Sequence, residues 1–328
     1  MNRKLLPGLL IAAGILFQAC KKDTNIFVPD PGQFNGPDTA WYSIITPSMP
    51  VTAIINNLSF NNYTDSIQVN NNNAYLLTPF GLNCGFPPHS IQGNAGQVIT
   101  GTVQVEVLLV KKKGDMIRLN LPTTSNSRLL VSGGEVFIRL KKENQELQLA
   151  PNARIYLNYP ADQPLNTQMK LFLGVESNSY PLNWYPNSDP VNNTLNITPQ
   201  NYEIQTNHLH WISTEYFYDT TNMPRVTLTA DLANYFTNAN TIAFTVFRDF
   251  RSVVGMYGNI STRSFSTGRL PGGKAISIVV ISKQGNDYFL GYENTVTTYA
   301  TGGTAVQHVA VKPVIKSLPD ILNFLNSL

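Results

Sequence analysis

Two histidines at alternate positions are the first residues of this 328-residue chain whose types and spacing could do chemistry. Successive side chains of a strand point to opposite faces, so His208 and His210 in the segment HLH would share one face. Imidazole pairs of this kind bind zinc when a third ligand completes the site, and Glu203 or Glu215 could supply it. Paired histidines outside a metal motif are more often surface or hydrogen-bonded residues, so we predict no metal site.

Other patterns for catalysis are missing from the sequence. None of H-E-x-x-H, C-x-x-C, the P-loop and G-x-S-x-G occurs. Cys84, in GLNCGF, is typical of a small buried hydrophobic residue, although His89 is near enough in sequence to be considered as its base. Asp189, in PNSDPVNN, could bind calcium, but a single carboxylate favours a turn. We therefore predict that the protein is not an enzyme and needs no cofactor.

Aromatic residues interleaved with polar ones form the candidate binding region. A glycan-binding surface needs flat rings for the sugar C–H groups and amides for the hydroxyl groups. The segments 179–190 and 201–219 hold the candidate ligand-binding aromatics, which are Tyr180, Trp184, Tyr185, Trp211 and Tyr216. The cores of β-sandwiches also bury tryptophan and tyrosine, and we favour that second interpretation.

The N-terminal residues predict export from the cytoplasm. Arg3 and Lys4 precede an apolar run, 5–17, that is shorter than the roughly 20 residues a membrane-spanning helix needs. A short apolar run behind positive charges is typical of a cleaved signal peptide, here 1–19. Residues 20–40 contain prolines and glycines without a hydrophobic period, which predicts an extended, flexible tether.

The end of the apolar run resembles the lipobox of bacterial lipoproteins. The resemblance is carried by Phe17, Gln18, Ala19 and Cys20. It implies cleavage before Cys20, a diacylglycerol on the cysteine sulfur and an acyl chain, such as palmitate, on the new amino group. Two or three acyl chains anchor a protein far more firmly than one does. The membrane is therefore the expected partner, through the lipid on Cys20.

The residues after Cys20 predict where the anchor lies. Enteric lipoproteins that stay at the inner membrane usually carry aspartate directly after the cysteine, whereas this chain has Lys21. Lys22 and Asp23 resemble in part the export signal that sends lipoproteins of the Bacteroidota to the cell surface, although Thr24 replaces a second acid. We predict an outer-membrane lipoprotein displayed at the cell surface, with an anchor facing the periplasm as the alternative.

Composition and periodicity predict an all-β chain. Charged residues make up 13% of the sequence, with 23 basic and 20 acidic side chains, so no strongly basic face is expected for nucleic acid. Short apolar alternations, such as GTVQVEVLLV (101–110) and GEVFIRLKK (134–142), are separated by turn residues, which is the pattern of β-sandwiches. Three consecutive lysines at 111–113 predict a solvated hairpin tip.

The C-terminal segment SLPDILNFLNSL is the exception, because it predicts a short helix. Ser317 and Asp320 have the spacing of a capping box, and Pro319 suits a first helical turn. One stripe of the helix would be apolar, formed by Leu318, Ile321, Leu322 and Leu325. We expect the helix to dock on the last sheet, and a partner-binding helix is the alternative.

A long motif in the first half, TPFGLNCGFPPHSIQGNAGQVITGTVQVEVLLV, resembles the ZU5-type β-sandwich modules of many exported proteins. The matching residues are Pro87, Pro88, Gly96, Val98, Gly101, Val103 and Val105. The resemblance implies a role in contact and assembly, and His89 departs from it where a small or amide residue is usual. The following DMIRLNLPTTSNSRLLVSGGEVFIRL resembles lipoproteins of the Bacteroidota, in which a Gly-Gly turn precedes the next strand.

Two prolines in YPADQPLNTQ (159–168) indicate a domain boundary. We predict two Ig-like or ZU5-like β-sandwich domains, 41–160 and 161–328, the second ending in the short helix. The expected function is that of a non-catalytic, lipid-anchored cell-envelope protein that binds or scaffolds at the outer membrane, with an envelope protein or a glycan as partner.

Two alternatives to this function stay open. A glycan-binding accessory lipoprotein for nutrient uptake would be favoured by an exposed, coplanar row of tryptophan and tyrosine. An enzyme with an unrecognised site would be favoured by a pair of carboxylates facing one cleft.

Overall fold

The chain is built mainly from β-strands. The computed structural model describes residues 38–176, 182–299 and 304–328. Strands hold 50% of the residues and helices 9%, so the predicted β-rich fold with a helix at the C-terminus is confirmed. Several predicted features lie outside the described residues, namely the signal peptide 1–19, Cys20, most of the tether 20–40, and Tyr180.

The described residues form three helices and 23 strands. The helices are α1 (Pro50–Leu58), α2 (Lys113–Arg118) and α3 (Leu318–Asn326). The first twelve strands are β1 (Tyr63–Val69), β2 (Ala74–Leu77), β3 (Asn83–Phe86), β4 (Ile91–Gln92), β5 (Gly101–Val110), β6 (Thr124–Ser125), β7 (Arg128–Lys142), β8 (Gln145–Glu146), β9 (Gln148–Leu149), β10 (Ile155–Pro160), β11 (Lys170–Val175) and β12 (Asn183–Pro186). The others are β13 (Thr194–Ile197), β14 (Asn201–Thr206), β15 (His210–Phe217), β16 (Arg225–Asp231), β17 (Thr241–Phe247), β18 (Val253–Asn259), β19 (Ser264–Pro271), β20 (Ala275–Gln284), β21 (Asp287–Val296), β22 (Thr304–Ala310) and β23 (Val314–Lys316).

Three large sheets contain nearly all of these strands. Sheet A has the order β1-β5-β7-β15-β11-β12, with β6 and β8 paired to β7, and sheet B has the order β13-β14-β10-β3-β2. Sheet C has the order β22-β16-β19-β18-β17-β20-β21-β23, and β4 pairs with β9 in a separate two-stranded ribbon. Neighbouring strands are antiparallel except for β16 and β22, which run parallel.

Sheets A and B form a sandwich around the first hydrophobic core. Val103, Val105 and Val107 of β5 point into this core and are fully buried, as the alternation of GTVQVEVLLV predicts. The alternate residues of β7 contribute Val136 and Ile138 in the same way. The period-two pattern therefore identifies the inner face of this sandwich correctly.

Sheet A is also buried on its other face. Leu108 and Val110 of β5 and Phe137 of β7 lie in a second core, which contains residues of all three helices and of sheet C. Sheet C in turn surrounds a third core. Strand β18 connects the two parts of this sheet, because it pairs with β17 through Val253–Met256 and then with β19 through Tyr257–Asn259. The strands thus form stacked layers in which apolar residues fill each space between sheets.

Strand pairing runs across the domain boundary predicted at 159–168. After this segment the chain returns to both earlier sheets, since β14 pairs with β10 and β15 pairs with β7. Asp162, inside the segment, is held by Lys111 at 2.8 Å and by Arg251 at 2.6 Å. The prolines of the segment 159–168 therefore lie at a surface crossover within the layered fold. The strands of sheet C begin only after Phe217, and Asp38–Leu328 forms one compact unit.

The Gly-Gly pair expected as a turn lies inside a long strand. Gly133 and Gly134 interrupt the register of β7 with β15, because Thr214 faces Gly134 while Glu215 faces Ser132. This irregularity is a β-bulge, and Gly134 has a φ of 148°, which favours glycine. A Cβ on Gly134 would also meet the ring of Tyr159.

The C-terminal helix has the predicted cap and a larger role than predicted. Ser317 and Asp320 form the complete capping box, and Ile321 and Leu325 are fully buried in the second core. The helix α3 therefore packs between layers rather than on the last sheet alone. At Gly114 in α2, a Cβ would overlap the backbone carbonyl of Leu325, so the two helices are in direct backbone contact.

Candidate functional site

Among the described residues, the two tryptophans of the candidate aromatic surface are buried. Trp184 is fully buried and Trp211 is 8% exposed, and their rings meet edge to face at 6.4 Å within the second core. Tyr216 is half-buried against the first core, and Tyr185 is the one exposed member of the set among the described residues, at 42%. For both tryptophans, the structure supports the interpretation that they serve packing.

The two histidines do not share a strand face. His210 begins β15 with a positive φ of 68°, and its Nε2 lies 2.6 Å from Oε1 of Glu146. His208 precedes the strand, and its buried Nε2 has no partner among the described residues. Burial and the nearby His210 lower the pKa of His208. Within the described part of the chain, no three histidine, cysteine or acidic residues are grouped as metal ligands would be.

Cys84 and Asp189 have the structural roles that the sequence predicts for them. The thiol of Cys84 is buried in the first core, and burial raises its pKa to about 12. His89 is exposed, in a turn with a φ of 56°. Asp189 accepts hydrogen bonds from the backbone and the side chain of Asn192, as in a turn. Because its pKa is raised, the thiol of Cys84 is unsuited to act as a nucleophile at neutral pH.

The three consecutive lysines are not a solvated hairpin tip. The helix α2 begins at Lys113, and the Nζ of Lys113 donates to the carbonyl of Phe247 at 2.8 Å. Lys111 forms the ion pair with Asp162, and of the three lysines Lys112 is the exposed one. The prediction was wrong because two of the ammonium groups connect one layer of the fold to another.

A ligand-sized cleft lies between sheet A and sheet C. It encloses about 400 Å³ at the point where the β6–β7 hairpin and β12 approach β18 and β19. Its lining residues are Thr124, Asn126, Ser127, Leu129, Leu182, Asn183, Val254, Tyr257, Gly268, Arg269 and Leu270. Ligand sites in proteins are commonly of this size, with mainly apolar walls and a few polar groups.

The polar wall of the cleft is built by a tight hairpin turn. Asn126 and Ser127 connect β6 to β7 with φ angles of 47° and 65°, as a two-residue hairpin loop of type I′ requires. Asn183 fixes this turn from β12, because its Oδ1 accepts from the backbone N–H of Asn126 at 3.1 Å. Its Nδ2 in turn donates to Oδ1 of Asn126 at 3.1 Å, which leaves the Nδ2 of Asn126 outside the pair.

The remaining walls combine an apolar floor with an open rim. Leu129, Leu182, Val254 and Leu270 are buried and line the floor, and all four come from strands or strand ends of the two sheets. Tyr257 is 54% exposed at the rim. Gly268 lies beside open space, since a Cβ built on it has no other atom within 4 Å. Arg269 and Gly268 are exposed neighbours on β19.

The sequence gives no signal for this cleft. Its residues come from segments near 124–129, 182–183, 254–257 and 268–270, and only their arrangement in space brings them together. The asparagine and serine of the hairpin are typical turn residues, which predicts a loop without predicting what faces it.

A pair of buried glutamates at the β-bulge is the second feature that sequence reasoning missed. Glu135 and Glu215 are fully buried, and neither oxygen of Glu135 has a hydrogen-bond partner in the described residues. Ser213 donates to Oε1 of Glu215 at 2.8 Å. Burial raises the pKa of Glu215 to about 8, and burial together with repulsion from Glu215 raises that of Glu135 well above its ordinary value.

The glutamate pair does not satisfy the expectation for an enzyme, which was a pair facing one cleft. Both carboxyl groups are sealed from solvent, and neither residue lines the cleft between sheets A and C. Arg251, the nearest cation, is already engaged, because its guanidinium donates to Asp162 and to the carbonyl of Ser132. A substrate would have no path to the pair unless the layers separated.

Two exposed tyrosines lie together on the outer face of sheet B. Tyr75 of β2 and Tyr156 of β10 flank Gly85 of β3 in register, and they are 65% and 49% exposed. The ring of Tyr75 leans over Gly85, where a Cβ would be 3.4 Å from it. Two exposed rings on one sheet face are what a platform for sugar rings requires.

Comparison with known proteins adds no identification. No family model matches the sequence, and no curated protein shows significant similarity to it. None of the helices in the described residues is long and apolar enough to cross a membrane.

Proposed function

We propose that the protein is a non-catalytic, lipid-anchored binding protein of the cell envelope, and that it holds a small ligand with an apolar body in the cleft between sheets A and C. The observation that carries this proposal is the cleft itself, with about 400 Å³ of space above a floor of buried leucine and valine side chains. A ligand that covers this apolar surface removes it from water, which favours binding.

The geometry of the cleft favours binding over catalysis. Its polar groups are amides, hydroxyls and one guanidinium, and among the described lining residues no carboxylate, histidine or cysteine is present to transfer a proton or attack a substrate. The raised pKa of the buried Cys84 thiol supports the same conclusion. Binding requires only that the two sheets keep their positions, which the filled core between them provides.

Blocking the cleft is expected to abolish binding of an apolar probe. Gly268→Leu places a side chain in open space without backbone strain, and we expect it to weaken binding of methyl parinarate, a neutral fluorescent fatty ester, by about tenfold or more. Fluorescence titration measures the affinity. Ser66→Leu, which adds the same side chain at an exposed position of β1 outside the cleft, is the matched control.

The outcome of this titration decides the proposed function. Saturable binding that Ser66→Leu retains and Gly268→Leu loses supports it. The absence of saturable binding, or equal binding by both variants, would contradict it. Retardation by a soluble polysaccharide in gel electrophoresis that is lost in Tyr75→Ala would favour the glycan-binding alternative, for which the face of Tyr75 and Tyr156 is the supporting observation.

The lipid anchor is proposed from the lipobox-like residues that end at Cys20, together with the resemblance to exported lipoproteins of the Bacteroidota. We expect the mature protein to begin at an acylated Cys20, and we expect Cys20→Ser to accumulate as an uncleaved precursor. Mass spectrometry of the mature N-terminus measures both. An unmodified Cys20, or cleavage at another residue, would rule out the anchor.

The side of the outer membrane on which the folded part lies is a separate question. We propose display at the cell surface, on the basis of the Lys22-Asp23 pair after the cysteine. Protease treatment of intact cells should then digest the protein. If digestion requires permeabilisation of the outer membrane, the anchor faces the periplasm instead.

A further inference from the structure

Arg269 is the one charged side chain among the described residues that line the cleft. It is exposed on β19 and makes no ion pair with any acidic group in the described part of the chain. By contrast, Arg139 and Arg251 are both paired with carboxylates in the same fold. An arginine without a carboxylate partner in the lining of an apolar cleft is a candidate recognition group for an anion, because its planar guanidinium can bind a carboxylate through two hydrogen bonds.

The uncharged hydrogen-bond donors of the cleft also suit an anionic ligand group. The reciprocal bonds between Asn126 and Asn183 use both groups of Asn183, whereas the Nδ2 of Asn126 has no partner among the described residues. Ser127 and Tyr257 add hydroxyl groups to the lining. Together with Arg269, these groups can donate hydrogen bonds to a ligand that accepts them.

We propose that the ligand of the cleft is a small amphiphilic carboxylate, whose apolar body covers the floor while its carboxylate pairs with Arg269. This inference rests on the proposed function, since it names the class of molecule that the cleft takes. The apolar floor is formed by Leu129, Leu182, Val254 and Leu270, so the body of the ligand is a hydrocarbon chain or ring.

A pair of probes that differ only in charge tests the role of Arg269. Parinaric acid and its methyl ester share one hydrocarbon chain, and the acid alone carries a carboxylate at neutral pH. We expect the protein to bind the acid about twofold to fivefold more tightly than the ester, which is the range expected for an exposed ion pair. The preference should fall as the salt concentration rises.

Substitution of Arg269 separates charge recognition from cleft occupancy. Arg269→Met keeps an apolar stem of similar length and should abolish the preference for the acid over the ester. Arg269→Lys should keep part of the preference, because it retains the charge without the planar fork. Lys312→Met removes one exposed positive charge outside the cleft and serves as the matched control.

The possible results have different meanings for the two proposals. Equal affinity of the unmodified protein for acid and ester, or a preference that Arg269→Met retains, would overturn the assignment of Arg269 while the cleft remains a binding site. A loss of preference in Lys312→Met would show a general charge effect and would also overturn it. Binding of both probes that Gly268→Leu leaves unchanged would overturn the cleft itself.

Discussion

Raising the pH from about 5 to about 9 is expected to lower the free energy of unfolding of this protein by roughly 4 kcal/mol or more through the Glu135–Glu215 pair, since the pKa of Glu215 is raised to about 8 and one unit of pKa shift corresponds to about 1.4 kcal/mol. The measurement is chemical denaturation at a series of pH values. The comparison that isolates the pair is with the double variant Glu135→Gln and Glu215→Gln, which keeps the shape of both side chains.

The direction of this effect follows from the proton affinity of the folded state. Both pKa values are raised on folding from the ordinary value of 4.5, that of Glu215 to about 8. Between these values the folded protein holds protons that the unfolded chain has released, so unfolding releases protons and becomes easier as the pH rises. The stability that protonated Glu215 permits is complete below about pH 4.5 and is lost as the pH rises through about 8, and the raised pKa of Glu135 acts in the same direction.

Other titratable groups do not account for the expected difference between the pH profiles of the unmodified protein and the double variant. Arg251 lowers the pKa of Glu135, but it is shared with Asp162, and burial and Glu215 have the larger influence. The lowered pKa of His208 has the opposite effect on stability over this range, and it is present in both proteins. Subtracting the profile of the double variant therefore leaves the contribution of the pair.

A surface variant provides the control for this experiment. Glu293→Gln removes an exposed carboxylate from β21 and should follow the pH profile of the unmodified protein. The double variant should be the more stable protein at pH 9, by an amount that shrinks as the pH falls toward 5. Parallel profiles of the unmodified protein and the double variant would show that the glutamates are not buried together as described.

Gly114→Ala is expected to destabilise the protein by roughly 1 to 3 kcal/mol, although alanine is the better helix former by about 1 kcal/mol. The reason is steric, because the added Cβ would overlap the backbone carbonyl of Leu325 and a backbone atom cannot swing aside. The α2–α3 contact would open, and the buried Leu325 would shift in the second core. Thermal or chemical denaturation measures the change.

Gly268→Ala is the control for the alanine substitution. A Cβ at Gly268 has no other atom within 4 Å, and its φ is not in the left-handed region, so its stability should stay close to that of the unmodified protein. If Gly114→Ala instead stabilised the protein, as helix propensity alone predicts, the close packing of the C-terminal helix on α2 would be contradicted.

Local features of the fold could be predicted because each depends on neighbouring residues only. The alternation of Val103, Val105 and Val107 and the capping box of Ser317 and Asp320 are examples. The layered arrangement depends on which strands pair across long separations. A run such as Leu108-Leu109-Val110 indicates burial on both faces of β5, but nothing local identifies sheet C as the second neighbour.

The domain boundary and the candidate site were harder to predict for related reasons. Prolines at a surface crossover have the same sequence pattern as prolines in a linker, and what distinguishes the two here is the pairing of β14 with β10 and of β15 with β7 across the segment. Trp184 and Trp211 are of a residue type that binding surfaces use, but both are buried and therefore serve packing. Residues of the cleft and of the glutamate pair are brought together by tertiary structure alone.

The most direct test of the central claim is a crystal structure of the protein with parinaric acid bound. We expect the hydrocarbon chain to lie on Leu129, Leu182 and Leu270 between sheets A and C, with the carboxylate against Arg269. Density for the probe on the outer face of sheet B, or an empty cleft in crystals whose protein binds the probe in solution, would contradict the account.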